Sequence, residues 1–120
     1  MKKESILRDK SYAFALRMVK LYKYLCADKQ EYFLSKQILR SGTSIGALIR
    51  EAEYGQSKAD FISKLSISLK EANETDYWLY LLKDSGYLDE KLFNSLHLEA
   101  DELIKLLVSS IKTAKLGLKN

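Results

Sequence analysis

The stretch Leu39–Glu74, LRSGTSIGALIREAEYGQSKADFISKLSISLKEANE, decides how this chain folds. Its first half keeps apolar residues at helical spacing but fills the positions between them with glycine, serine, threonine and alanine. Each glycine inside a helix costs about 1 kcal/mol relative to alanine, so Gly42 and Gly46 need a compensating contact. They lie four residues apart and share one face, which predicts a tight seam with another helix.

A break separates this seam from the helix that follows. Gly55 suits the left-handed position after a helix, and Ser57 opens a Ser-Lys-Ala-Asp capping box. Apolar spacing elsewhere predicts four helices in total, with Gly86 ending the third and Asp89 capping the fourth. The predicted ranges are 5–27, 32–54, 57–85 and a last helix that frays before Gly117.

The predicted fold is all-α, an antiparallel up-down four-helix bundle in which residues 1–120 form a single domain. The chain has no proline, and a short polar joint over 28–31 is typical of a link between antiparallel neighbours. We expect the first helix to turn one line of residues inward: Ile6, Tyr12, Ala15, Leu16, Val19, Tyr22 and Cys26.

Composition narrows the class of protein. Hydrophobic residues make up 47% and charged residues 30%, as in ordinary globular proteins. Cys26 is the single cysteine, so no intramolecular disulfide is expected, and a reducing cytoplasm fits best. The start lacks the pattern of a secretory leader, and no apolar run reaches about 18 residues, so we expect no membrane partner.

Charge is unevenly distributed along the chain. Residues 1–50 hold eleven basic against four acidic residues, a net charge of +7, whereas residues 51–102 hold five against twelve, a net charge of −7. The remaining tail adds four lysines. This asymmetry indicates either a basic face for a polyanion or pairing between the basic half of one subunit and the acidic half of another.

The sequence predicts no catalytic or metal site. A carboxylate-bridged metal pair needs two Glu-x-x-His motifs, but His97 is the single histidine, and Asn94 occupies the position three before it. Cys26 and His97 are too few ligands for zinc. The chain has neither a nucleophile elbow nor a phosphate-binding loop, so we expect a non-enzymatic protein without a cofactor.

Two sets of residues are candidates for function. A basic line on the first two helices can neutralise phosphates, with Tyr24 or Tyr32 stacking on bases, or it can be a solvated face: Lys10, Arg17, Lys20, Lys23, Lys36 and Arg40. The second set serves packing or self-association: Ser41, Gly42, Ser44, Gly46, Glu51, Glu71, Glu74 and Trp78. Its glutamates lie beside apolar lines, where they need cations, and Arg40 and Arg50 are the nearest candidates. A further apolar line on the third helix, wider than one bundle interior needs, indicates a partner chain: Ile67, Glu71, Glu74, Trp78 and Leu81.

The segments 39–47, 57–62 and 70–79, with Asp9-Lys10-Ser11-Tyr12 near the start, resemble a bacterial four-helix-bundle family. That family is known from proteins encoded in intervening sequences of 23S ribosomal RNA genes, and it includes relatives of the accessory variability protein of diversity-generating retroelements. The resemblance spans roughly residues 9–110, although Leu48 stands where many relatives have asparagine. It implies a homo-oligomer, a ring of five, without catalytic activity. In the retroelement relatives it implies a partnership with a reverse transcriptase and its nucleic acid.

These observations lead to two hypotheses. In the first, an oligomeric module binds RNA, DNA or a nucleic-acid enzyme through the basic line. In the second, the protein is a protein–protein scaffold with no nucleic-acid contact. Salt dependence separates them, since binding to phosphates weakens steeply as the salt concentration rises.

Overall fold

A computed structural model of the chain contains four α-helices joined by short connections. It describes the backbone of residues 3–119 and the side chains of residues 6–117. The helices are α1 (Lys3–Lys29), α2 (Leu34–Glu53), α3 (Lys58–Asp84) and α4 (Glu90–Lys119). Within this described part, no residue belongs to a strand and no helix combines the length and apolarity needed to cross a bilayer.

Contacts between the helices fix their directions. Gly46 lies against Ser11 and Gly42 against Met18, so α1 and α2 are antiparallel. The same reversal appears between α2 and α3, where Ser68 bonds to the carbonyl of Ile45 and Thr75 to Ser41, and between α3 and α4, where Asp76 bonds to His97 and Tyr80 contacts Phe93.

The fourth helix closes the bundle by returning to the first. Arg17 pairs with Glu99 and Lys10 with Glu102, so α4 runs antiparallel to α1. The four helices lie along one rod with extents of 51 × 22 × 22 Å. The predicted all-α fold of four helices is thereby confirmed, and the antiparallel contacts are consistent with the predicted up-down bundle.

A continuous apolar core fills the rod. On α2, α3 and α4 it includes the fully buried side chains of Ile38, Ile45, Leu65, Leu79 and Leu103. Residues at three- and four-residue spacing place one such stripe on each helix, and the four stripes meet along the axis.

The buried face of α1 differs from the predicted one. Tyr12, Leu16 and Val19, expected inside, are 56%, 51% and 38% exposed, whereas Ile6, Ala15, Tyr22 and Cys26 are half-buried at the edge. The helix carries two apolar lines on opposite sides, and periodicity alone does not tell which one faces the core. The line that enters the core contains Leu7, Ser11, Phe14, Met18, Leu21 and Leu25.

The start of α2 is set by a buried carboxylate rather than by Tyr32. The two oxygens of Glu31 accept hydrogen bonds from the backbone N–H groups of Phe33, Leu34 and Ser35 at 3.2, 3.0 and 2.7 Å. These donors have no partner within the first turn of a helix, so Glu31 satisfies them. As a result, α2 begins two residues later than the sequence predicted.

The remaining helix ends agree with the sequence except at Gly55. The Ser57 hydroxyl accepts from the N–H of Asp60 at 3.0 Å, and the Asp89 carboxylate accepts from the N–H of Leu92 at 2.7 Å, which confirms both caps. Gly86 has a φ of 88° and ends α3. Gly55, however, does not take the left-handed conformation, since the positive φ values in the described chain belong to Gln30 and Gly86.

Candidate nucleic-acid interface

Two members of the basic line are engaged by acids of α4. The Lys10 amine lies 3.1 Å from Glu102, and the Arg17 guanidinium lies 2.6 Å from Glu99 and 2.9 Å from the Ser95 hydroxyl. Both pairs cross from α1 to α4 and are partly exposed. Lys10 and Arg17 therefore hold two helices together, and part of their charge is neutralised inside the chain.

Arg40 is engaged by two acids of α3. Its guanidinium lies 3.2 Å from Glu71 and 2.8 Å from Glu74, and the Trp78 indole donates to the same Glu74 oxygen at 3.3 Å. The hydrogen bond with Glu74 is the main reason that the pKa of Arg40 is raised above its ordinary value. Arg40 is thus the cation that the sequence predicted for these two glutamates, and the network joins α2 to α3.

The third glutamate behaves differently. Glu51 is exposed and pairs with Lys64 at 3.6 Å, not with an arginine. Arg50, the expected alternative partner, instead lies over the ring of Tyr12, with 5.8 Å from its Cζ atom to the ring centroid. Glu51 points away from the seam, so it needs no buried counter-charge.

Three lysines of the basic line are exposed to solvent and form no ion pair with the described side chains. Lys20 and Lys23 project from α1 and Lys36 from the first turn of α2, and all three are exposed. None of them forms an ion pair with the side chains described over residues 6–117. Lys23 and Lys36 lie towards the end of the rod where α1 turns into α2. Lys20 lies one turn before Lys23 on α1, slightly further from that end.

Aromatic side chains accompany these lysines. Tyr24 is partly exposed on α1, and Tyr32 and Phe33 are 48% and 81% exposed in the connection to α2. We call this region the basic aromatic end: Lys20, Lys23, Tyr24, Tyr32, Phe33 and Lys36. The sequence placed Phe33 inside a helix and missed its exposure, although two adjacent aromatic residues after a polar joint are a signal for it.

A shallow groove borders the basic aromatic end. It measures about 200 Å³ and lies between α1 and α4, where Lys20 and Tyr24 meet Leu92 and Leu96. The groove offers apolar surface beside a cation and an aromatic ring. An unpaired base needs this combination in order to stack while its phosphate is neutralised.

The small-residue set forms a seam within the chain. A Cβ atom on Gly42 would lie 2.6 Å from the Met18 sulfur, and one on Gly46 would lie 3.2 Å from the Ser11 hydroxyl. The glycines therefore let α1 approach α2 closely. Ser41 is buried against Thr75, with 2.9 Å between the hydroxyl oxygens, and Ser44 donates to the carbonyl of Arg40 at 2.6 Å.

Within the described part of the chain, no three His, Cys, Asp or Glu side chains are placed so that they could hold a metal ion together. The Nδ1 atom of His97 lies 2.6 Å from an Asp76 oxygen, and its ring stacks on Phe93. Cys26 lies 3.7 Å from the Ser35 hydroxyl. The His97–Asp76 and Cys26–Ser35 contacts join neighbouring helices, whereas the His97–Phe93 stack lies within α4.

The fold and its surface define the class: an all-α four-helix bundle, joined by ion pairs across its seams and carrying an unpaired basic aromatic end. The family of 23S rRNA-intervening sequence proteins matches residues 3–109, and the chain belongs to this family. This confirms the resemblance drawn from the sequence.

A solved structure resembles this chain over most of its length. The chain is similar to a crystal structure of a protein of unknown function from the S23 ribosomal protein family of Bacteroides thetaiotaomicron. The two are 55% identical, the match covers 92% of this chain and 99% of the other, and the TM-score is 0.92. No curated protein matches the chain.

Proposed function

We propose that this protein is a non-enzymatic, self-associating module that binds RNA or DNA through its basic aromatic end. The proposal rests on one observation: some cations of the basic line are paired with acids of the same chain and others are not. Lys10, Arg17 and Arg40 are paired with acids, whereas Lys20, Lys23 and Lys36 are exposed without such partners among the described side chains.

The chemistry of this end suits a single-stranded polynucleotide. Lysine amines neutralise phosphates and release counterions, and exposed aromatic rings stack on bases without reading their sequence. Tyr24, Tyr32 and Phe33 supply such rings beside the three lysines. One chain offers few contacts, so useful affinity requires several copies that bind one strand together.

Self-association is supported by the outer face of α1. Tyr12, Leu16 and Val19 follow one another at helical spacing and remain exposed in the single chain. A second copy of the chain would cover this apolar face and bring further lysines to the same assembly. The family resemblance adds a ring of five and a nucleic-acid enzyme, such as a reverse transcriptase, as a partner of the assembly.

Binding of fluorescently labelled single-stranded RNA and DNA, measured over a series of salt concentrations, tests this function. We expect affinity to fall steeply with salt. The double variant Lys20→Glu with Lys23→Glu should lower affinity about tenfold or more and reduce the log–log salt slope by roughly 1.4, since each lost phosphate contact contributes about 0.7. Helical circular dichroism should not change, because both side chains are exposed.

A matched control changes the same amount of charge elsewhere. Lys70→Glu with Lys112→Glu alters two exposed lysines, one near the middle of α3 and one in the half of α4 that lies away from the basic aromatic end. The control should bind nearly as well as the unmodified protein. Equal losses of affinity in both double variants would show that the basic aromatic end is not the binding surface. Titrations that show no binding at low salt would favour the protein–protein scaffold.

A further inference from the structure

The end of the rod opposite the basic aromatic end contains a cavity of about 340 Å³. It lies where the last turn of α2, the first turn of α3 and the end of α4 meet. Its size falls within the range of roughly 300–1,000 Å³ that is typical of small-molecule sites. An apolar wall and four polar side chains line it: Ala52, Phe61 and Ala114, with Glu53, Lys58, Ser110 and Thr113.

Two buried polar atoms in this cavity have no hydrogen-bond partner. They are the Oε1 atom of Glu53 and the hydroxyl of Ser110, and they are the two such side-chain atoms found within residues 6–117. Ser110 as a whole is 6% exposed. Burying an unpaired polar group is unfavourable, and each such group in a folded protein requires an explanation. Glu53 and Ser110 both line the same cavity, so a ligand held there would lie beside both unpaired groups.

The Ser110 hydroxyl differs from those of two other helical serines. Ser44 and Ser66 each donate to the backbone carbonyl four residues earlier, at 2.6 and 2.8 Å. Ser110 makes no such bond. Its hydroxyl therefore remains able to donate to, or accept from, a group inside the cavity.

The charges around the cavity define what would fill it. An ionised carboxylate only accepts hydrogen bonds, so Glu53 Oε1 needs an N–H or O–H donor, and a cationic donor suits it best. The other Glu53 oxygen is already 3.7 Å from Arg8. Lys58 is exposed and also lines the cavity, so a cation borders it and favours an anionic group on the ligand.

We propose that this cavity binds a small zwitterion of the α-amino acid class. The ligand's ammonium group bonds to Glu53 and Ser110, its carboxylate faces Lys58, and a short apolar side chain packs on Ala52, Phe61 and Ala114. The site lies at the other end of a 51 Å rod from the basic aromatic end, so it does not depend on nucleic-acid binding.

Three probes with related carbon skeletons test the charge requirement. L-valine carries both charges, isovalerate lacks the ammonium group, and isobutylamine lacks the carboxylate. Each is titrated into ¹⁵N-labelled protein while the amide signals of Gly55, Ser110 and Thr113 are followed. We expect saturable shifts with L-valine, weaker binding of isobutylamine and none of isovalerate. The absence of saturable shifts with L-valine, or equal binding of isovalerate, would overturn the proposal.

Variants locate the interaction. Glu53→Gln keeps the shape of the side chain but removes the charge, and it should weaken L-valine binding about tenfold or more. Glu51→Gln, two residues earlier on the exposed surface of α2, is the control and should bind normally. Ser110→Ala should also weaken binding, and it provides a second test that leaves the Glu53–Arg8 pair in place. Unchanged affinity in both Glu53→Gln and Ser110→Ala would contradict the assignment.

Discussion

At the scale of single residues, Glu31 shows how one side chain sets a helix boundary. Its carboxylate is buried and accepts from three successive backbone N–H groups at the start of α2. The preceding residue, Gln30, has a φ of 52°, which turns the chain so that the carboxylate reaches these donors. The sequence indicated a polar joint here but not the cap, because the cap depends on this local backbone conformation.

Replacement of Glu31 tests the cap. Glu31→Ala leaves three N–H groups at the start of α2 without this acceptor, and we expect a loss of about 1–3 kcal/mol in the free energy of unfolding. Urea denaturation followed by circular dichroism measures the change. Asp28→Ala, an exposed position in the last turn of α1, should stay within about 0.5 kcal/mol of the unmodified protein. Equal stability of the two variants would show that Glu31 does not act as a cap.

At the scale of helices, the sequence predicted element type well and failed on one orientation. Ser57 and Asp89 carry their own capping signals, and α4 has a single strong apolar stripe. On α1, apolar residues lie on two sides, so the choice of inner face depends on packing. It becomes clear only when Ser11 is seen against Gly46, where the small side chain permits close approach.

The candidate site was predictable to a similar degree. The sequence names Arg40 and Arg50 as the nearest candidate cations for the three glutamates, and of these two it is Arg40 that pairs with Glu71 and Glu74. The pairing of Arg17 with Glu99 was not foreseen, since these residues are 82 positions apart and their meeting depends on the register between the first and last helices. The sequence therefore could not separate paired from unpaired members of the basic line.

The seam between α1 and α2 gives a prediction at this scale. Gly42→Ala places a methyl group against Met18, and we expect overpacking of about 1–3 kcal/mol, offset by about 1 kcal/mol of helix propensity. Met18→Ala should cost about 2–5 kcal/mol through a cavity. The double variant should lose less stability than the sum, because the new methyl group occupies part of that cavity.

Gly117→Ala is the control for this cycle. Gly117 lies near the end of α4, and an added methyl group would meet only the Lys58 side chain at ordinary contact distance among the atoms described. Its stability should be unchanged or should rise by up to about 1 kcal/mol. Strict additivity of Gly42→Ala and Met18→Ala would show that the two side chains do not share space. Thermal unfolding of the unmodified protein and the four variants provides the comparison.

At the scale of the whole molecule, the opposed charge halves meet within one chain. Helices α1 and α2 each lie beside a helix that supplies acids, α4 through Glu99 and Glu102 and α3 through Glu71 and Glu74, and ion pairs cross both seams. Individual exposed pairs contribute about 0–1 kcal/mol, so their main effect is to determine which cations remain for a partner. The three lysines of the basic line without an ion pair among the described side chains lie at or near the end where α1 turns into α2.

Self-association through α1 is the prediction at this scale. Leu16→Glu with Val19→Glu places charges on the exposed apolar face without disturbing the core, so the bundle should stay folded while a larger assembly dissociates to single chains of 13.8 kDa. Light scattering after size exclusion measures the mass. Asn73→Glu with Asn94→Glu adds two charges at exposed polar positions and should keep the assembly intact. An unmodified protein that already has the mass of one chain would refute the expectation.

An even number of antiparallel helices brings the chain back to the end of the rod from which it started. The first turn of α1 and the last turn of α4 therefore lie at the same end, together with the α2–α3 connection. A short linker between them would allow circular permutation, with new ends opened in another connection. A fluorescent label or fused domain attached at either terminus would also project away from Lys23 and Lys36, leaving that end accessible for surface immobilisation studies.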